Sequence, residues 1–296
     1  MTATFKPGND LLPQYRDLAH DYADQALRAL QQEDPLSPET VHSVRVSIKH
    51  LRALGQLLRP FELGETSKRM DRLLRDAAGA LSSARDTRVL QATLDELPES
   101  TRRPYEQQAL HQVRQQEFPD ASGNTHLSMP QAVWDALCVT REHWQALPLE
   151  VDNVALIDQG LSRTYKKARK LSFEALAAET PEQWHELRKW AKYLLFQLQP
   201  LEPILVNTDH RPANLDALGR TLGKLHDLHV LIERLDERER RRRHSEELAT
   251  ALLVIRRRET ALLEEVRKAT RSCFANKPRV FCQQLLEARQ YPRHSN

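Results

Sequence analysis

Two stretches of this 296-residue chain repeat one pattern of charged and apolar residues. Residues 42–51 read HSVRVSIKHL and residues 185–194 read HELRKWAKYL, and both fit H-x-x-R-x-x-x-K-x-L. Further along, LSSARDTRVL at 81–90 matches LGKLHDLHVL at 222–231. The two matches occur in the same order with offsets of 143 and 141 residues, which indicates an internal duplication. The fold must therefore accommodate two similar units.

Both units have the composition and the periodicity of helices. The chain contains only 8 glycines, while leucine, alanine, arginine, glutamine and glutamate recur throughout. Ser37-Pro38 and Thr180-Pro181 each predict a helix start, because the hydroxyl caps a helix and proline fits its first turn. The predicted helices span residues 10–32, 38–59, 65–96, 101–117, 130–146, 152–178, 181–201, 211–237, 239–274 and 279–289.

The duplication and the helical pattern together predict an all-α protein of two similar four-helix units that face each other. The most linker-like stretch, PDASGNTHLSMP, begins at Pro119. We therefore expect a first helical repeat at 10–118, a linker with a bridging helix at 119–150 and a second helical repeat at 151–290.

The helix predicted to begin after Ser37 has a basic ladder beside an apolar stripe. The ladder falls at i, i+3, i+7 and i+10, on one face of the helix, and consists of His42, Arg45, Lys49 and Arg52. The apolar stripe consists of Val41, Val44, Ile48, Leu51, Leu54 and Leu58. No carboxylate occurs between Val41 and Phe61, so the ladder lacks counter-charges on its own helix.

The two histidine motifs resemble those of the CHAD family, the conserved-histidine α-helical domain, and RTYKKARKL at 163–171 is similar to its basic segment. The resemblance covers nearly the whole chain, so both repeats together would form one CHAD domain. It implies two pseudo-symmetric four-helix bundles with a basic groove or pore between them that binds inorganic polyphosphate. Some members carry a triphosphate tunnel (CYTH) domain before this region. No room for it precedes residue 10, so we expect a stand-alone member without that domain's catalysis.

The resemblance implies polyphosphate-binding residues on three helices. On the two histidine helices they are His42, Arg45, Lys49, Arg52, His185, Arg188, Lys189 and Lys192. On the helix at 152–178 they are Arg163, Lys166, Lys167, Arg169 and Lys170, of which Arg169 points away from the common face. Arginine offers forked donors to phosphate, lysine a mobile charge, and histidine a donor whose charge responds to pH.

Two aspartates recur at equivalent repeat positions, Asp86 and Asp227. We expect them to support the ladder structurally, by pairing with a basic residue or capping a helix; metal ligation is the alternative. The repeats also differ, because Val46 stands opposite Lys189 and Leu195 opposite Arg52. Opposite the basic residues Arg163, Lys166, Lys167 and Lys170, the helix at 10–32 has His20, Ala23, Asp24 and Leu27. We therefore expect the second repeat to hold more of the positive surface.

Three other interpretations compete with polyphosphate binding. A basic stripe on a helix is commonly a solvated face that pairs with acids on neighbouring helices. A phosphodiester backbone attracts the same ladder, so nucleic acid is an alternative and weaker partner. The dipeptide His226-Asp227 is typical of metal-dependent phosphohydrolases, but the duplicate has Arg85 at the histidine position, and arginine does not ligate metals.

Composition and motifs restrict the remaining function classes. The net charge is only +3, so a protein with this composition could bind a polyanion only if its basic residues were gathered on one surface. The three cysteines fit no zinc spacing, and no catalytic triad or Gly-rich phosphate loop is present. We expect a non-catalytic protein without cofactor or metal.

No apolar run approaches 18 residues, and the N-terminus lacks a signal core. We therefore expect a cytoplasmic protein, with polyphosphate granules as one location.

Overall fold

The protein was analysed as a computed structural model. The structure describes residues 5–6, 8–33, 35–61, 66–81, 86–97, 103–118, 128–148, 150–205, 212–241 and 245–290, apart from the side chains at 86–88, 204 and 288–290. Over these ranges the chain is helical and contains no strand, so the predicted all-α class is confirmed. None of the helices in these ranges combines the length and the apolar character that crossing a bilayer needs.

The α-helices are α1 (Leu11–Gln32), α2 (Pro38–Leu58), α3 (Thr66–Ala80), α4 (Asp86–Asp95), α5 (Pro104–Glu117), α6 (Gln131–Gln145), α7 (Asn153–Ala155), α8 (Ser162–Ala178), α9 (Pro181–Leu198), α10 (Pro212–Arg241), α11 (Glu246–Cys273) and α12 (Pro278–Gln290). A π-helical segment, Leu156–Leu161, joins α7 to α8, and a 3-10 segment, Gln199–Ile204, follows α9.

The two histidine helices begin in the same way, as the Ser-Pro and Thr-Pro pairs predict. The Ser37 hydroxyl accepts a hydrogen bond from the Thr40 backbone N–H at 3.2 Å, and Pro38 follows it. The Thr180 hydroxyl accepts one from the Gln183 N–H at 3.4 Å. Each cap satisfies a backbone donor that the first turn would otherwise leave without an intrahelical partner.

The apolar stripe of α2 forms part of the core. Every member of the predicted stripe is buried, from Val41 to Leu58. On α9 the equivalent apolar positions are buried as well, including Leu187, Ala191 and Leu194. Because these residues turn one face of each helix inward, the cationic side chains are held on another face.

The packing order connects the early helices to the late ones. α1 packs against α2 and α6, and α3 packs against both α2 and α6. Later in the chain, α8 packs against α9, α9 against α10, and α10 against α11. The early and late parts of the chain are joined by the packing of α2 on α9, of α4 on α10 and of α5 on α11, and α2 also contacts α8 and the π-helical segment.

The prediction of one helix over 65–96 is wrong. The structure has α3 and α4 there, with 82–85 outside the described residues, whereas the matching stretch of the second repeat lies within the single helix α10. α3 ends at Ala80 and a turn follows at Leu81, so a helix boundary falls inside the predicted span.

Removing either hydroxyl cap should destabilise the protein. We expect Ser37→Ala to lower the free energy of unfolding by about 1 kcal/mol, and Thr180→Ala by somewhat less because its cap contact is longer. Urea denaturation followed by circular dichroism measures both changes. Ser43→Ala, at an exposed position inside α2, is the matched control and should change stability little. Equal stability of all three variants would contradict the capping role.

Candidate functional site

A cavity of about 470 Å³ lies where α2 and α9 meet α3, α4 and α10. Its cationic lining residues are Arg45, Lys49, Arg52, Arg75, Arg188, Lys189 and Lys192. Among the described residues that line it, Asp227 is the single carboxylate. Two histidines, His185 and His226, and the Tyr193 side chain also line it. The cavity is therefore concave and strongly positive, while the whole chain is nearly neutral.

On the α2 side of the cavity, called the α2 wall below, two arginines are held in fixed positions. Arg45 donates from Nη1 to the Ala78 carbonyl oxygen of α3 at 2.7 Å. Arg52 donates from Nε to Asp71 Oδ1 at 2.9 Å, and its guanidinium lies 5.9 Å from the centre of the Tyr193 ring. Burial raises the pKa of Tyr193 to about 12, so its hydroxyl stays protonated beside the arginine. These contacts orient the guanidinium groups before any ligand arrives.

On the α9 side of the cavity, called the α9 wall below, the cations lie beside an aromatic ring and beside two glycines of α10. Lys192 Nζ lies 5.7 Å from the centre of the Phe196 ring. Burial, and then the neighbouring charge of Arg188, lower the pKa of Lys192. A Cβ added at Gly219 would lie 3.5 Å from Lys192, and one added at Gly223 would lie 3.5 Å from Arg188. Lys189 Nζ lies 2.6 Å from Glu186 Oε1.

Two histidines from different helices meet in the cavity. The Nδ1 atoms of His185 and His226 are 3.4 Å apart, and their ring centres are 4.7 Å apart. Burial, then the charges of His185 and Arg188, lower the pKa of His226 to about 4. Burial and the charge of Arg188 also lower the pKa of His185, although Glu186 opposes them. Both rings are therefore less readily protonated than free histidine.

A third histidine, His50 of α2, packs against the ring of Phe196 of α9. The His50 ring stacks against Tyr22 at 4.3 Å and against Phe196 at 3.9 Å, measured between ring centres. Burial, followed by the charge of Lys192, lowers the pKa of His50 to about 4. Phe196 lines the cavity, so this stack supports its surface from within the fold.

The structure brings together most of the residues that the sequence placed on the histidine helices. Seven of those eight line the cavity, and the eighth, His42, is exposed and does not. Asp227 also lines it, at the position expected for a supporting carboxylate. The side chain of Asp86 lies outside the described part of the structure.

The basic residues of α8 are placed elsewhere. None of the five lines the cavity. Arg169 donates from Nε to the Phe274 carbonyl oxygen at 3.1 Å, and Lys170 Nζ lies 3.5 Å from the Glu174 carboxylate. Arg163 lies near the end of α2, while Lys166 is exposed and Lys167 partly exposed. Helical spacing correctly groups such residues on one face, but it does not tell which neighbour that face meets.

Sequence reasoning missed two basic residues of the cavity, Arg75 and His226. His226 had a signal, because the repeat pairs it with Arg85 and so places a basic residue before the aspartate in both units. Arg75 had none, since its repeat partner under the same offset is Asp216. Within the described residues no group of three or more histidine, cysteine, aspartate or glutamate side chains is arranged to hold a metal ion.

Arg188→Gln should raise the pKa of both His185 and His226, because it removes a positive charge that opposes their protonation. The NMR chemical shifts of the imidazole protons, followed across pH without ligand, measure both values. Lys6→Gln, at an exposed residue of the N-terminal segment, is the control and should leave them unchanged. An unchanged His226 pKa in Arg188→Gln would mean that the guanidinium does not act on the histidine pair.

Comparison with known protein families gives one match. The family model described as the CHAD domain matches residues 21–213, more than half of the chain. The matched region contains both histidine helices, α2 and α9, and ends at the start of α10. No curated protein matches the chain.

Proposed function

Because the chain belongs to the CHAD family, we propose that it binds inorganic polyphosphate in the cavity between α2 and α9 and holds it without cleaving it. The observation that carries this proposal is the gathering of seven cationic side chains in one cavity of a nearly neutral chain. Polyphosphate is a string of phosphates without bases, so charge and hydrogen-bond donors are the features by which a protein can hold it.

The cations have complementary roles in this proposal. Arg45 and Arg52, each held by a partner on α3, would present forked donors to successive phosphates. Lys49, Lys189 and Lys192 would neutralise charge along the chain. His185 and His226 would donate hydrogen bonds once the ligand favours their protonated forms.

We also propose that the site is a product of the duplication. Each repeat would contribute one histidine helix, α2 or α9, to a groove between two pseudo-symmetric four-helix bundles. The direct packing of α2 on α9 supports this arrangement, because it brings Arg45 and its repeat partner Arg188 to the same cavity. A ligand in the groove would then contact both units at once.

The shape of the site favours polyphosphate over duplex nucleic acid. The cations line a cavity whose volume is that of a small-ligand pocket, and a duplex is too wide to enter it. A narrow flexible chain of phosphates can follow the recess. Tyr193 and Phe196 lie against Arg52 and Lys192, so they support cations in this structure.

Removing four cations from the cavity should abolish binding. Changing Arg45, Lys49, Arg188 and Lys192 to Ala is expected to weaken the affinity for long-chain polyphosphate at least about a hundredfold, since each charge-assisted contact contributes on the order of 1.5 kcal/mol. Isothermal titration calorimetry at fixed salt measures the change. The control variant changes Arg28, Arg240, Arg241 and Arg271, all exposed, to Ala and removes the same net charge.

The same titration tests the alternatives. A larger loss in the control variant would place the binding site elsewhere. Displacement of polyphosphate by an equal concentration of duplex DNA would favour the nucleic-acid interpretation. Progressive shortening of polyphosphate during incubation with Mg²⁺ or Mn²⁺, read on a gel, would contradict the non-catalytic part of the proposal.

Binding should strengthen as pH falls. The pKa of His226 is about 4 in the empty cavity, and a bound polyanion raises it, so binding takes up a proton. Affinity is then constant above the bound-state pKa, rises as pH falls through it, and levels off below the empty-state pKa. Titrations of long-chain polyphosphate at several pH values measure this dependence. In His226→Gln plus His185→Gln it should largely disappear; full retention would show that the pair takes no part.

A further inference from the structure

A second pair of arginines converges beyond the end of the cavity. Arg59 follows α2 directly, and Arg163 lies in the first turn of α8. Arg59 donates from Nη1 to Gln56 Oε1 at 3.4 Å. Arg163 donates from Nη1 to the same Oε1 atom and to the Gln56 carbonyl oxygen, both at 3.4 Å. Two guanidinium groups therefore meet at one neutral, buried glutamine.

Within the described part of the chain, this pair lacks an acidic partner that would balance its charge. Across the described ranges, no carboxylate forms an ion pair with Arg59 or Arg163, or with Lys167 one turn further along α8. Burial, and then the charge of Arg59, lower the pKa of Arg163. Two like charges at a part-buried position repel each other, and an anion between them would remove that cost.

The pair is preorganised in the same way as the cations of the cavity. The Arg163 guanidinium lies 5.8 Å from the centre of the Trp190 ring, which fixes its orientation. Neither arginine lines the cavity itself. The two places are connected by α2, because Lys49, Arg52, Gln56 and Arg59 recur at helical spacing on one face. Arg59 lies roughly 10 Å beyond Arg52 along the helix axis, at 1.5 Å per residue.

We propose that Arg59 and Arg163 form a second anion subsite, which binds a phosphate of a polyphosphate chain that leaves the cavity along α2. The proposal rests on the function proposed above, and it adds a preference for long chains. A short chain held in the cavity does not reach the subsite, whereas a long one engages both places and gains affinity from the second contact.

Chains of two lengths test the subsite. Wild type and Arg59→Gln plus Arg163→Gln are titrated with tripolyphosphate and with long-chain polyphosphate. The double variant should bind the long chain about tenfold more weakly and tripolyphosphate as well as wild type does. The slope of log K against log salt for the long chain should also fall by roughly 0.7, since the subsite holds one phosphate and each phosphate contact of a flexible polyanion contributes about 0.7. Arg28→Gln plus Arg241→Gln, at exposed positions, is the charge-matched control.

The outcomes separate the subsite from the cavity. Equal loss for both chain lengths, or no loss for either, overturns the subsite while leaving polyphosphate binding intact. Failure of wild type to bind either chain overturns the proposed function, and the subsite with it. Because Arg163 also contacts the Gln56 backbone, Arg59→Gln alone is the second variant, with its thermal unfolding compared with wild type. This single variant should show about half of the change in salt slope that the double variant shows. A slope equal to that of wild type would count against the subsite.

Discussion

The direct contact between α2 and α9 is the constraint on which the site depends. Gln197, a buried residue of α9, donates from Nε2 to the Ala53 carbonyl oxygen of α2 at 2.6 Å. The Gln197 carbonyl oxygen accepts the Tyr15 hydroxyl of α1 at 2.6 Å. One residue thus joins three helices through buried polar groups, which are costly to leave unsatisfied. Since the cations of both walls project from α2 and α9, their separation follows from this contact.

The same packing that builds the cavity also works against its charges. Like charges gathered in a recess repel one another, and burial weakens their hydration, which lowers the pKa of Lys192 and of both cavity histidines. The apolar faces of α2 and α9 offset this cost by burying aliphatic side chains such as Ile48 and Leu194. The gathering of like charges in one recess therefore costs stability, as is common for functional sites.

Sequence reasoning predicted the features that depend on a single helix, but it missed those that depend on how helices pack against one another. The caps at Ser37 and Thr180 and the stripe from Val41 to Leu58 follow from spacing along one helix, and the structure has both. The family resemblance further led to one expectation about distant residues, the joint use of α2 and α9. Arg75 reaches the cavity only because α3 packs beside α2, and the cations of α8 miss it because that helix packs against α9 away from the cavity lining. No periodicity within a single helix contains that information.

The separation of α2 from α9 along the chain has a consequence for biosynthesis. At a translation rate of 5–20 residues per second, the 143 residues between the two motifs take roughly 7 to 30 seconds to synthesise. During that interval the nascent chain displays one basic wall without the other, and α4 and α5 lack the later helices on which they pack. Two helices, α10 and α11, must still emerge before those surfaces are covered. The two basic sides of the cavity therefore meet only after α9 has been synthesised, and the faces of α4 and α5 are covered only after α10 and α11 have followed.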